Sequence, residues 1–309
     1  MLAYIIRRLI HAVPVLLGTT FLIYFMVFSM PGNPVLALFG DKTPTPTQLK
    51  SLEEQYHLNQ PFIVQYLYYL GDVLRGNFGV SFSGRSVNDI LASKFPVTLT
   101  LAMIAIVIEI VVALTIGLIS GLRKGSFFDA TALVVSLLLI SVPIFVLCFI
   151  AQSFFAIQLG WFPPTVGGDA SFERLLLPAI VLALFVIASA IRLTRGSVIE
   201  TAGSDFVRTA YSKGLSRRRV IPVHILRNSL IPVTTQFGAD FGLLIVGATV
   251  TEGIFNVPGV GNELYQAIIR GERSTVVSFV TVMVLIYLVI NILIDLLYAV
   301  LDPRIRYAR

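Results

Sequence analysis

Apolar residues in this chain gather into six long blocks, near 9–30, 97–119, 130–157, 175–195, 230–254 and 276–300, with the polar residues concentrated between them. Each block reaches the roughly 20 residues that a helix needs to cross the hydrocarbon of a bilayer. Lipid offers no partner to an exposed N–H or C=O, so blocks of this kind must be helical. The pattern predicts an all-α membrane protein with six transmembrane helices. The first block follows Arg7 and Arg8 as the core of a signal peptide would. It is too long for that role and runs into Met30-Pro31-Gly32-Asn33 rather than an Ala-x-Ala site, so it is read as a retained signal-anchor.

Composition agrees. Of 309 residues, 56% are hydrophobic and 13% charged, against about 45–50% and about 25% in an ordinary soluble domain. Low charge excludes a disordered chain, glycine without a period of three excludes collagen, and a single cysteine excludes a disulfide scaffold. Cys148 sits in an apolar stretch and reads as a small buried hydrophobe. The net charge of +6 first suggests a nucleic-acid partner, but its distribution argues otherwise. With the N-terminus inside, 15 of the 23 Lys and Arg fall on inside segments and 8 outside, five of those in the long loop 31–96. An excess of inside Lys and Arg marks the cytoplasmic face, so both termini are expected in the cytoplasm and no nucleic acid is expected as a partner.

The blocks divide the chain into an N-terminal cytoplasmic segment with its first span (1–30), an extracytoplasmic loop (31–96) and a five-helix remainder (97–309). The outer loop carries turn residues at Thr43-Pro44-Thr45-Pro46, a short predicted helix from Gln48 to Tyr56, and aromatics at Tyr66, Tyr68 and Tyr69. Such content suggests a folded cap rather than a tether. The inside loop, about 196–229, is predicted to hold a short amphipathic helix. Ser204 or Asp205 suits its N-cap, Lys213 its last turn, and Gly214 the left-handed residue that ends it. A second helical stretch is expected from Ser216 past Pro222 into the fifth span. A short helix held under the membrane by two spans can be a rigid handle for a cytoplasmic partner. It can equally be a basic segment lying on anionic lipid headgroups.

Several chemistries find no footing. There is no GxxxxGK[ST] to cradle a nucleotide and no GxSxG nucleophile setting. His11, His57 and His224 are scattered, and one cysteine cannot build a thiolate metal site. No catalytic residue, cofactor site or metal site is expected in this chain. Energy for active transport would have to come from an ion gradient or a separate ATPase.

The inside loop also carries a specific likeness. Asp205-Phe206-Val207-Arg208-Thr209-Ala210 through Lys213-Gly214-Leu215 resembles the cytoplasmic loop of inner-membrane permeases of ABC importers, more narrowly the dipeptide/oligopeptide (peptide/nickel) branch. The resemblance continues along the chain through Pro31-Gly32-Asn33-Pro34, Leu58-Asn59-Gln60-Pro61, Gly76-Asn77-Phe78-Gly79-Val80-Ser81, Glu252 to Gly261, and Asp302-Pro303-Arg304-Ile305-Arg306. The long outer loop resembles the B-type subunit. One departure is plain: where the general motif has Glu-Ala-Ala and, after its glycine, Ile-x-Leu-Pro, this chain has Arg208-Thr209-Ala210 and then His224, Leu226 and Arg227.

The resemblance implies a type I ABC importer permease (MetI-like) fold in the inner or plasma membrane. It implies a second homologous permease forming a heterodimer, one or two ABC ATPase subunits holding ATP and Mg, and an extracytoplasmic solute-binding protein; membrane lipid surrounds the spans. It makes the loop helix a coupling helix, with Asp205, Arg208, Thr209, Ala210, Lys213, Gly214 and Leu215 as the ATPase-docking surface, Ala210 keeping that contact close. The implied cargo is a dipeptide or oligopeptide; nickel and glutathione are carried by the same architecture. Asp240 in the fifth span is expected either to line the pathway or to hydrogen-bond inside the bundle, and Glu252, Pro258 and Gly259 to serve an outer gate or binding-protein contact, Pro258-Gly259 making a tight turn. Gly117-x-x-x-Gly121 and Gly238-x-x-x-Gly242 can pack helices closely within this chain or against a second one. A proton-coupled secondary transporter using Glu109, Asp240 or Asp295 is the reading from a different class.

Overall fold

The computed structural model describes residues 2–29, 45–55, 57, 59–81 and 84–301, with side-chain positions for all of these except 2–9, 48–49, 51–52, 55 and 295–301. The resemblance segments at Pro31–Pro34 and Asp302–Arg306, and the side chain of Asp295, lie outside that set.

Helices account for nearly all the described chain: α1 (Leu2–Phe28), α2 (Pro46–Gln55), α3 (Phe62–Leu74), α4 (Val87–Leu122), α5 (Phe127–Ser141), α6 (Ile144–Ala151), α7 (Phe172–Ala202), α8 (Asp205–Ser212), α9 (Arg217–Val220), α10 (Arg227–Phe255), α11 (Val260–Arg270) and α12 (Arg273–Leu301). Wide π-helical turns prolong α6 through Gln152–Gln158 and join α9 to α10 through Ile221–Leu226. Five helical stretches among the described residues are long and apolar enough to cross a membrane, and six if the bent pair α5–α6 is one span.

That bent pair falls on the third expected span, 130–157. Pro143 lacks an N–H and crowds the residue before it out of the helical region. Val142 is extended (φ −96°, ψ 123°), and the chain turns by 103° between α5 and α6. Hydropathy runs through the break because both arms are apolar. The other spans differ mainly at their ends: α4 begins at Val87, ten residues before its apolar block, and the fifth is continuous from Arg217 to Phe255. The short outer-loop helix is present as α2, shifted toward Pro46.

The chain forms two compact units. One comprises residues 1–98 and 258–309. In it α1 packs on α12, and α3 lies against both through Tyr66 and Tyr69. The Tyr66 and Phe21 rings meet edge to face at 5.2 Å, the Tyr66 hydroxyl reaches Thr20 Oγ1 at 3.0 Å, and Tyr69 donates to Thr281 Oγ1 at 2.6 Å. Tyr66 and Tyr69 are thus packing residues with satisfied hydroxyls, while Tyr68 is half exposed and stacks on His57. The Gly76–Ser81 motif is a turn: Gly76 and Gly79 take positive φ (75° and 81°), while Asn88 donates to the Gly76 carbonyl at 2.6 Å and accepts from the Phe78 N–H at 3.3 Å.

The second unit, Leu99–Val257, is built around α7. Its apolar stretch is 67% buried, and α10, α5 and α6 pack on it. Small residues on α7, Ala179, Ala183, Ala188 and Ala190, let those helices approach. Leu137, Leu138, Phe145 and Phe149 on the bent span are exposed, as surfaces facing lipid or another subunit must be. Gly117 and Gly121 face α7 within this chain, which answers the first of the two glycine pairs.

Candidate functional site

The loop at about 196–229 forms a short lever with one buried and one open face. Helix α8 starts at Asp205 after an extended Ser204 (φ −73°, ψ 153°). Contrary to the expected cap, the Ser204 hydroxyl turns back to donate to the Thr201 carbonyl at 2.6 Å and leaves the first turn of α8 without a side-chain cap. The other end is as the sequence predicts. Gly214 is left-handed (φ +78°), its N–H donates to the Tyr211 carbonyl at 2.9 Å, and the Leu215 N–H donates to the Ala210 carbonyl at 3.3 Å. These two bonds make a Schellman closure, which satisfies carbonyls the helix would otherwise leave open.

Val207 and Ala210, three residues apart, share the buried face. They pack with Val198 and Ala202 of α7, Leu118 and Leu122 of α4, Leu215, Val220 at the end of α9 and Ile225 beyond it. Ala210 is only 5% exposed, so it does not provide the outward contact expected of it, and the half-buried Leu215 faces inward too. Helical spacing puts Ala210 beneath α8, and the turn at Gly214 brings Leu215 into the same seat. The open face holds Asp205, Arg208, Thr209 and Lys213 from the expected set, with Gly214 at its end, and adds Phe206 and Tyr211, 48% and 44% exposed. Sequence reasoning passed over those two aromatics. Helical spacing sets them on the two flanks of the buried face, Phe206 four residues before Ala210 and Tyr211 four after Val207. The open face is bordered by Arg217, Arg218 and Arg219, all exposed.

Arg208 and Asp205 are 3.7 Å apart and almost fully exposed. An ion pair of this kind contributes at most about 0.5 kcal/mol, so the pair has little to do with folding. Arg208→Ala and Tyr211→Ala are each expected to leave the stability of the purified chain within about 0.5 kcal/mol of wild type, measured by thermal unfolding in detergent. A larger loss would place these side chains in the core.

A second cluster lies directly behind the seat. Asp129, at the start of α5 and 2% exposed, receives the Arg195 guanidinium of α7 side-on: Nε meets Oδ1, and Nη2 meets Oδ2 at 2.8 Å. Ser120 Oγ of α4 also donates to Oδ1, and the Gly125 N–H to Oδ2 at 2.9 Å. One carboxylate thus joins the end of α4, the turn after it, α5 and α7. Nearby, the Ser197 and Ser229 hydroxyls each donate to the other's carbonyl (3.0 and 3.2 Å), tying α7 to α10. Sequence reasoning missed the Asp129–Arg195 pair because 66 residues separate its members.

The remaining expected site residues lie inside the packing. Asp240 is 2% exposed, accepts from Gln236 Nε2 of its own helix at 2.8 Å and lies beside the buried Glu109. Glu252 is fully buried at the end of α10, so its side chain is not presented to a binding protein. α10 ends at Asn256, whose backbone is left-handed (φ 49°), and the chain bends again at Pro258 and Gly259. The Phe255 and Asn256 carbonyls accept from Val166 and Gly167, while Gly259 is extended at the start of α11. Asparagine tolerates this conformation better than most residues, which is why the break falls there. Among the described residues no group of three or more His, Cys, Asp or Glu is placed to hold a metal ion.

Long apolar helices with a short, largely exposed helix seated beneath two of them define a multi-pass membrane protein. Comparison with known proteins gives the family. Residues 113–307 match the family of binding-protein-dependent transport system inner membrane components, and residues 1–102 match the N-terminal region of such membrane components. The oligopeptide transport system permease protein OppB of Haemophilus influenzae is 35% identical over 99% of this chain and the whole of the relative. OppB of Escherichia coli K12 is 36% identical and the dipeptide transport system permease protein DppB of Alkalihalophilus pseudofirmus 34% identical, with the same coverage. This chain belongs to the family of inner-membrane components of binding-protein-dependent transport systems.

Proposed function

We propose that this chain is one permease subunit of an ATP-driven importer of dipeptides or oligopeptides. It crosses the inner membrane six times, α5–α6 counting as one broken span, with both termini in the cytoplasm. The translocation pathway lies between it and a second, homologous permease. A solute-binding protein delivers cargo on the outer side, and separate ATPase subunits bind Mg and ATP inside. The chain itself catalyses nothing.

The observation that carries this reading is α8. Its buried face is fixed into the ends of α4 and α7, while the rest of its surface exposes Arg208 and Lys213, with the half-exposed Phe206 and Tyr211 beside them. Exposed aromatic and arginine side chains are the residue types that anchor protein interfaces. Arg208, Lys213 and Arg217–Arg219 suit an acidic groove on an ATPase better than a second basic surface. Peptide cargo is supported by full-length relatives named for oligopeptide and dipeptide transport.

The test is a mild-detergent purification of the tagged chain from its own cell, with mass spectrometry of what accompanies it. A second permease and P-loop ATPases are expected, and Arg208→Ala combined with Tyr211→Ala is expected to release the ATPases while retaining the permease. Recovery of the chain alone, under conditions that keep another ABC importer intact, would support the ion-coupled carrier instead.

A further inference from the structure

The buried pair behind the lever has a role that stability does not explain. Apolar contacts are non-directional, and the seat of α8 is almost wholly apolar. The contact between α4 and α7 is made through glycines, and α5 also packs along α7. Surfaces of this kind can slide. The Asp129–Arg195 pair cannot, because a two-pronged guanidinium–carboxylate contact fixes both distance and angle. Ser120 lies between Leu118 and Leu122, and Arg195 one turn before Val198, so the cluster is set against the α4 and α7 residues that hold Val207 and Ala210. Its carboxylate belongs to α5, whose far end bends by 103° into α6. A buried ion pair contributes little net stability compared with apolar residues of similar volume; what it adds here is register.

We propose that Asp129 and Arg195 are positioning residues of the transport cycle, handing a displacement of α8 on to the bent α5–α6 span. The inference rests on the reading of α8 as the ATPase-docking helix. A shift of α8 moves the ends of α4 and α7 on which it sits. The pair obliges the start of α5 to follow, and the bend turns that rotation into a movement of α6.

The test uses the complete complex in proteoliposomes, measuring uptake of a labelled tripeptide that the wild-type complex carries against phosphate released. Asp129→Asn or Arg195→Gln alone leaves an unpaired buried charge and is expected to lower yield. The double variant removes both charges. It is expected to regain yield, to keep ATPase association and hydrolysis within about twofold, and to lose about tenfold in peptide carried per ATP. Arg195→Lys, which keeps the charge but not the fork, is expected to lower the same ratio, an effect a purely structural pair would not show. A wild-type ratio in the double variant and in Arg195→Lys would overturn the proposal. So would loss of ATPase association in the double variant, which would make the pair part of the seat and not of the transmission. If the wild-type chain brings down no ATPase, the proposed function fails instead, and that is seen before any variant is scored.

Discussion

Gly214→Val is expected to leave the chain inserted in the membrane and to abolish its association with the ATPase subunits. Insertion depends on the apolar spans, none of which this residue touches. The lever depends on it directly. At φ +78° an L residue is strained by about 1–2 kcal/mol, and a β-branched one is worse placed still. No atom lies within 4 Å of the position a Cβ would take, so the effect comes from the backbone and not from a clash. If valine turns the backbone out of the left-handed region, the Leu215 N–H leaves Ala210 and the Gly214 N–H site leaves Tyr211. An eight-residue helix has little else to hold its last turn. Leu215 then comes off the seat, and Tyr211 and Lys213 lose their direction. Gly214→Asn separates cause from accident, since asparagine tolerates the left-handed region; it is expected to retain most of the association. Membrane yield and the amount of co-purified ATPase are the measurements. Normal association with valine at this position would remove α8 from the docking surface.

Gly214 was legible because a single residue's backbone demand shows in its type. The spans were legible for a similar reason: lipid-facing residues such as Leu138 and Phe149 are apolar wherever the chain goes next. Direction was not legible from hydropathy, so α5 and α6 read as one span although Pro143 was in plain view. Helices α3 and α11 mix polar and apolar residues around tertiary contacts, and their form depends on those contacts: Tyr69 needs Thr281, and the Val260 N–H needs Thr98. The site was half visible. Family likeness supplies which residues recur around α8 but not which side of the helix each occupies, and so Ala210 was assigned outward. Its spacing from Val207 held the correction. Asp129 and Arg195 left no trace at all, being ordinary loop-edge charges until the fold brings them together.

The largest loss of stability is expected where α4 meets α7. A Cβ on Gly117 would stand 2.6 Å from Thr194 Cβ and 3.0 Å from the Ile191 carbonyl, and one on Gly121 would stand 2.7 Å from Val198 Cβ and 3.0 Å from the Arg195 carbonyl. Two of the four obstacles are backbone atoms of the most buried helix in its unit, so neither side can yield without moving α7. Gly117→Ala and Gly121→Ala are each expected to destabilise by about 1–3 kcal/mol, and leucine at either position to prevent accumulation of folded protein. Gly18→Ala in α1 and Gly71→Ala in α3 should have the opposite sign. Nothing lies within 4 Å of their Cβ positions, and alanine favours a helix over glycine by about 0.5–1 kcal/mol. Thermal unfolding of the four variants in one detergent makes the comparison. Equal behaviour of the two pairs would mean that α4 and α7 do not touch. Gly121→Ala carries a second consequence: moving the Arg195 carbonyl also moves the guanidinium that holds Asp129. Its loss in peptide carried per ATP is therefore expected to exceed that of Gly117→Ala at matched stability.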